Sequence, residues 1–191
     1  MADGGASTLA VLGAAQLGVL GYAASLGVGL VFMQAAVPKL RNTQLFAGVL
    51  ANYRLLPGFL IAPAALLLPI AELWVGLALM LDHANHFAPL AMALLLLFAA
   101  AMGINIARGR REIDCGCGRS DLRQPLSWLL VVRNMLLAAL LLPYLGTVPD
   151  IGLNLVNSAI AMAGGITIYL LYLLFNAIGA LAASPLAAQR R

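Results

Sequence analysis

Five long apolar runs constrain this chain more than anything else in it. They lie at about Leu9–Val37, Phe59–Leu81, Phe87–Ala107, Ser127–Leu145 and Ile151–Ala183. Each is close to, or longer than, the roughly 20 residues that a helix needs to span hydrocarbon. In lipid every backbone N–H and C=O must be satisfied internally, which leaves helices and closed barrels. The runs are continuous rather than alternating, so helices are expected. Composition agrees, with 63% hydrophobic and 9% charged residues and a mean hydropathy of +0.97. Soluble domains carry about 25% charged residues. The expected fold is all-α: a polytopic membrane bundle of five transmembrane helices, with a four-helix core and a long C-terminal helix, forming one domain over residues 1–191. Its surroundings are the lipid bilayer, and no nucleic-acid partner is expected.

The first run is longer than a signal-peptide core, and Asp3 is the only charge before it, so it reads as a retained helix. Small residues recur four apart, at Ala10, Ala14 and Gly18 and again at Gly21, Ser25 and Gly29. This pattern lets a neighbouring helix approach closely. Pro38 to Pro57 reads as a polar connection, in which Leu45, Phe46, Val49 and Leu50 mark a short interfacial helix. Tyr53 and Arg54 are expected at headgroup level. Pro63 and Pro69 are places where the second membrane helix can kink. Asp82–His86 reads as a turn, and Pro149-Asp150 as another. The last run is long enough to tilt, project or break at Gly164-Gly165.

The charges are sorted. All 11 Lys and Arg residues fall in three places. Lys39, Arg41 and Arg54 lie between runs one and two. Arg108, Arg110, Arg111, Arg119, Arg123 and Arg133 lie between runs three and four or just inside the fourth. Arg190 and Arg191 follow the fifth. With five crossings all of these face one side, while Asp3, Asp82 and Asp150 face the other. The positive-inside rule then puts the N-terminus outside and the C-terminus in the cytoplasm.

The most polar stretch, Arg108–Asn134, contains both cysteines as Cys115-Gly116-Cys117. Two thiols this close can join only through a small strained ring, and strained disulfides tend to be labile and oxidising. Gly116 makes the backbone shape accessible. The nearby arginines favour thiolate and Asp114 opposes it. A redox pair is the leading reading. A zinc half-site and ordinary reduced thiols are the alternatives, but structural zinc wants four ligands and this loop has no His. No metal site is expected. His83 and His86 read as residues of a solvated turn.

Glu72 is the only acid within a membrane run. Such a residue faces the bundle interior and by default suggests function. Its candidate partners are Arg133 and Asn134, and these three residues are the candidate cofactor-binding set. The depths disagree, however. Glu72 lies about 20 Å along its helix and Arg133 about 9 Å along its own. Asn105, Arg108, Ser127, Trp128, Arg133 and Asn134 are expected to ring the cysteine loop.

Several pieces taken together, covering about Val31–Leu140, resemble the MauE family of methylamine utilisation membrane proteins, within the wider DoxX-like group. They are Lys39-Leu40, Asn52-Tyr53-Arg54-Leu55-Leu56-Pro57, Leu68-Pro69-Ile70-Ala71-Glu72, Asn105-Ile106-Ala107-Arg108-Gly109-Arg110, Ile113-Asp114-Cys115-Gly116-Cys117-Gly118, Gln124-Pro125-Leu126-Ser127-Trp128 and Arg133-Asn134. The resemblance implies a bacterial inner-membrane protein that helps mature the disulfide-rich small (beta) subunit of methylamine dehydrogenase, with a thioredoxin-like partner of the MauD type. The chain is also similar to proteins of the vitamin K epoxide reductase and DsbB type, small bundles with a Cys pair just before the fourth helix that pass electrons to a quinone. That similarity implies Cys115 and Cys117 as the catalytic pair of a thiol-disulfide oxidoreductase, with a quinone as the implied cofactor. CxC spacing and the lack of a second Cys pair depart from that type. The sides also conflict: the arginines place the pair in the cytoplasm, whereas the implied client folds in the periplasm. A non-catalytic assembly or export factor, docking partners through its basic loops, is the competing function.

Overall fold

Helices form where the apolar runs predict them. The computed structural model describes residues 3–81, 84–115, 125–145 and 155–182. In chain order the helices are α1 (Asp3–Arg41), α2 (Thr43–Tyr53), α3 (Gly58–Met80), α4 (Ala84–Ala107), α5 (Trp128–Leu140) and α6 (Leu155–Ala182), with a 3-10 turn at Leu142–Leu145 after α5. Among the described residues four segments are long and apolar enough to cross a membrane: Gln16–Arg41, Gly58–Met80, Ala84–Ala107 and Leu155–Gly179. The expected fourth crossing is a shorter apolar helix. The 13 residues of α5 rise only about 20 Å, and the 3-10 turn continues them.

Two boundaries differ from the sequence expectation. First, α1 does not stop before Pro38 but runs through it to Arg41, so Lys39 sits on a helix rather than in a loop. Proline there lacks an N–H, yet its carbonyl still accepts from Asn42 N at 3.1 Å. Second, α4 begins at Ala84, which puts His86 on a helix; Asp82 and His83 lie outside the described residues. Of the outcomes left open for the last run, a break is not the one taken: α6 is continuous through Gly164-Gly165. The expected short helix in the first connection is present as α2. It ends at Arg54, whose φ of 50° is left-handed and whose N–H bonds the Ala51 carbonyl, a common way to terminate a helix.

Small residues set the packing around α1, which lies between α3 and α6. A Cβ on Gly29 would come within 2.9 Å of the Gly76 carbonyl, and one on Gly165 within 2.7 Å of the Leu26 Cβ. Without a hydrophobic drive between helices in lipid, such close backbone approach is a main source of association. Gly29 meets Gly76 while Lys39 meets Glu72, so α1 and α3 are antiparallel. Ala23 meets Gly164 and Gly27 meets Ile168, so α1 and α6 are parallel. Val28, Phe32, Val75, Leu79, Ala91, Leu95, Leu137 and Leu141 form the main buried cluster. Leucines such as Leu67, Leu97, Leu136 and Leu171 cover the outer surface, as expected where lipid is the solvent.

The loops after α2 and α4 meet at one end of the bundle. Arg110 donates through Nη2 to the Asn52 carbonyl at 2.7 Å and through Nη1 to the Tyr53 carbonyl at 3.5 Å. The two basic connections that the charge pattern assigned to one side are therefore neighbours in space.

Candidate functional site

Lys39 and Glu72 form a buried ion pair, with side chains 7% and 1% exposed. Side chains on a helix lean toward its N-terminus, so on antiparallel α1 and α3 these two lean toward one another. The Lys39 ammonium also lies over two rings, 5.1 Å from the centre of Phe46 on α2 and 4.9 Å from that of Phe98 on α4. A desolvated cation between aromatic faces gains from both ring quadrupoles. The sequence anticipated Glu72 as an interior acid but named the wrong partner. The signal that could have found Lys39 is its place two residues beyond the first apolar limit, since an intramembrane acid needs a cation within reach.

Arg133 and Asn134 are both buried, as expected, but they belong to a different polar group. Arg133 donates to the Asn134 amide oxygen at 3.2 and 3.4 Å and to Asn176 of α6, and stacks 5.0 Å from the Tyr172 ring. This polar group ties α5 to α6. Glu72 is held by Lys39, while its candidate partner Arg133 sits with Asn134 and Asn176, in keeping with the mismatch in depth. The polar ring expected around the cysteine loop falls partly outside the described residues, which stop at Cys115 and resume at Pro125. Asn105 accepts from Arg110, in the segment that leads to Cys115, at 3.2 Å and donates to the Ala101 carbonyl at 3.1 Å. Trp128 is 53% exposed on the outer surface.

Cys115 is 6% exposed and packs with Tyr53, Ala99, Met102, Ile106, Leu126, Leu130 and Val131. Three contacts fix the strand-like segment that carries it. The Tyr53 hydroxyl donates to the Cys115 carbonyl at 3.2 Å. Asp114 and Pro125 pair as an isolated antiparallel bridge, and Leu126 N donates to the carbonyls of Arg111 and Ile113 at 2.9 and 3.2 Å. The sequence placed Tyr53 at headgroup level and missed this role. Cys117, with Gly116, Arg119 and Arg123, lies outside the described residues.

Lys39 and Cys115 share a cavity of about 350 Å³ between α2, α3 and α4. Its walls are otherwise almost wholly apolar, formed by Phe46, Val49 and Tyr53 of α2, Ala64, Leu67 and Leu68 of α3, and Phe98, Ala101 and Met102 of α4. That is the size and character of a small-molecule site with few polar groups. Leu67 and Leu97 line the cavity and are also 62% and 54% exposed. At these two residues the cavity borders the outer apolar surface. Among the described residues no three His, Cys, Asp or Glu side chains are grouped to hold a metal ion.

The sequence model of the family described as "Methylamine utilisation protein MauE" matches residues 17–147. Among curated proteins, the "Methylamine utilization protein MauE" of Paracoccus denitrificans is 42% identical over 168 residues, which cover 87% of this chain and 90% of that protein. The protein of the same description from Methylophilus methylotrophus is 42% identical over 154 residues, covering 78% and 80%. That from Methylorubrum extorquens is 47% identical over 110 residues, covering 57% and 59%. No solved structure matches the chain.

Proposed function

Since the chain belongs to the MauE family of methylamine utilisation proteins, we propose that it is a membrane thiol-disulfide exchange protein. In this reading Cys115 and Cys117 trade disulfides with a thioredoxin-like partner of the MauD type and so support maturation of the small subunit of methylamine dehydrogenase. The observation that carries the reading is the setting of Cys115: a buried thiol on a segment pinned by Tyr53, against an apolar cavity that borders the outer surface at Leu67 and Leu97. A merely structural cysteine needs no such cavity. In each exchange a thiolate attacks a partner disulfide, one S–S bond forms as another breaks, and the departing sulfur takes up a proton.

The chain crosses the bacterial inner membrane five times in this reading, with α5 and its 3-10 turn as the short fourth crossing. The parallel run of α1 and α6 supports an odd number of crossings. The meeting of both basic loops supports an outer N-terminus and a cytoplasmic C-terminus.

The test is complementation of a strain lacking the chain's own gene. Cys115→Ser and Cys117→Ser are each expected to abolish accumulation of mature methylamine dehydrogenase small subunit, and the one that keeps the attacking thiol and lacks the resolving thiol to trap a mixed disulfide with the partner. The competing assembly-factor reading rests on Arg108, Arg110 and Arg111 of the basic loop, of which Arg108 and Arg111 are exposed. It predicts normal maturation in both Cys variants and loss in an Arg108→Ala/Arg111→Ala protein.

A further inference from the structure

We propose that the cavity between α2, α3 and α4 binds the head of a lipid-soluble quinone, held by Lys39 and facing Cys115. This deepens the thiol-exchange reading above and rests on it only for the redox step. Four features select the ligand. Leu67 and Leu97 carry the cavity's lining to the outer apolar surface, where a molecule dissolved in the bilayer reaches it directly. The walls require an apolar body. An ammonium has three N–H groups, and among the described residues the one hydrogen-bond acceptor of Lys39 is Glu72, so N–H groups remain for an acceptor on the ligand. Glu72 already balances that cation, so a fatty-acid carboxylate or a phosphate would sit beside a like charge, at a cost that a neutral carbonyl does not meet.

A neutral, apolar molecule with carbonyl acceptors describes a quinone ring, and the fifth feature is the thiol. Cys115 lines the same cavity. When its thiol and a second thiol each give up one proton and one electron, two S–H bonds break and one S–S bond forms. A quinone that takes the two electrons and two protons leaves as hydroquinone. Phe46 and Phe98, which frame the ammonium, supply ring faces beside the Lys39 N–H groups. The isoprenoid tail leaves between Leu67 and Leu97 into the lipid.

The experiment is photolabelling of the full-length protein in phospholipid nanodiscs with an azido-substituted short-tail ubiquinone, mapped by mass spectrometry. Label is expected on α4 between Leu97 and Met102. Excess decylubiquinone should suppress it at least tenfold, and decanoate or added phosphatidylglycerol should not. Ala101→Trp and, from the facing helix, Ala64→Phe each fill the cavity and should cut labelling at least tenfold, with thermal melting of the same samples confirming that they are folded. Equal competition by decanoate or phospholipid would make the cavity a lipid crevice and overturn the proposal. So would labelling that is spread over the outer surface, or that persists in a folded filled variant. Maturation in cells expressing Cys115→Ser is read separately. If it survives while cavity labelling stands, the thiol reading falls and the binding site remains. If it is lost while the cavity takes no label, the quinone site falls and the thiol reading remains.

Discussion

Lys39, in the last turn of α1, is ion-paired with Glu72 in the middle of α3, and both side chains are almost wholly buried. In a membrane interior such a pair depends on mutual compensation. Removing one member strands the other, at a cost of about 3–5 kcal/mol, whereas replacing both with apolar groups of similar volume can be close to neutral. Lys39→Met and Glu72→Leu are therefore each expected to lower the melting temperature and yield in detergent sharply. The Lys39→Met/Glu72→Leu double variant should recover most of both. A thermal double-mutant cycle measures this, and a double variant as unstable as the worse single would contradict it.

This pair also marks the limit of what could be read from residues alone. The membrane class and the positions of the helices were legible, because long apolar runs leave a backbone few choices in lipid. The interior acid Glu72 was legible for the same reason. Its partner was not, because Pro38 reads as a helix end and in fact lies inside α1, carrying Lys39 one turn further along the helix. The partners of Arg133 were hidden differently. Asn176 and Tyr172 lie in α6, whose apolar sequence carries no motif, and only packing brings them to α5. Cys115 was singled out for its chemistry, but the cavity beside it is assembled from four helices and two connecting segments, and no local pattern announces it.

Helix packing around α1 gives a prediction that turns on a single methyl group. A Cβ on Gly165 would meet the Leu26 Cβ at 2.7 Å and the Ala23 carbonyl at 3.1 Å, both on the neighbouring helix. Gly165→Ala must therefore push α1 and α6 apart and is expected to destabilise by about 1–3 kcal/mol. Gly48, within α2, has nothing within 4 Å of its Cβ position. Gly48→Ala removes only the entropic penalty of glycine in a helix and should stabilise by about 0.5–1 kcal/mol. Thermal melts of the two variants should move in opposite directions.

Three neighbouring arginines in the basic loop are expected to behave differently. Arg110 bonds the carbonyls of Asn52 and Tyr53 and the amide oxygen of Asn105, joining α2 to the end of α4. Arg108 and Arg111 are exposed. Arg110→Ala should cost on the order of 1–3 kcal/mol and speed alkylation of Cys115, whose segment Arg110 helps to anchor. Arg108→Ala and Arg111→Ala should change stability by less than about 0.5 kcal/mol, as surface substitutions usually do. Melting temperature and the rate of maleimide reaction, measured together, separate the three.

The grip of Tyr53 on the cysteine segment can be tested with one atom. Its hydroxyl donates to the Cys115 carbonyl at 3.2 Å, and both residues are buried. Tyr53→Phe keeps the ring against Met102 and Val131 and removes only that donor. The expected cost is about 1 kcal/mol, with faster alkylation of Cys115 in native protein and no difference once the protein is unfolded. In intact cells the same reagent chemistry reports on sidedness. If the arginines set the orientation, a membrane-impermeant maleimide should reach Cys115 or Cys117 only after permeabilisation, and Tyr53→Phe should raise that signal without making it appear from outside. Reduction beforehand distinguishes thiols that are oxidised from thiols that are hidden. Labelling of unpermeabilised cells would place the loop in the periplasm, on the client's side, and would mean that eleven sorted basic charges had been overruled by helix packing.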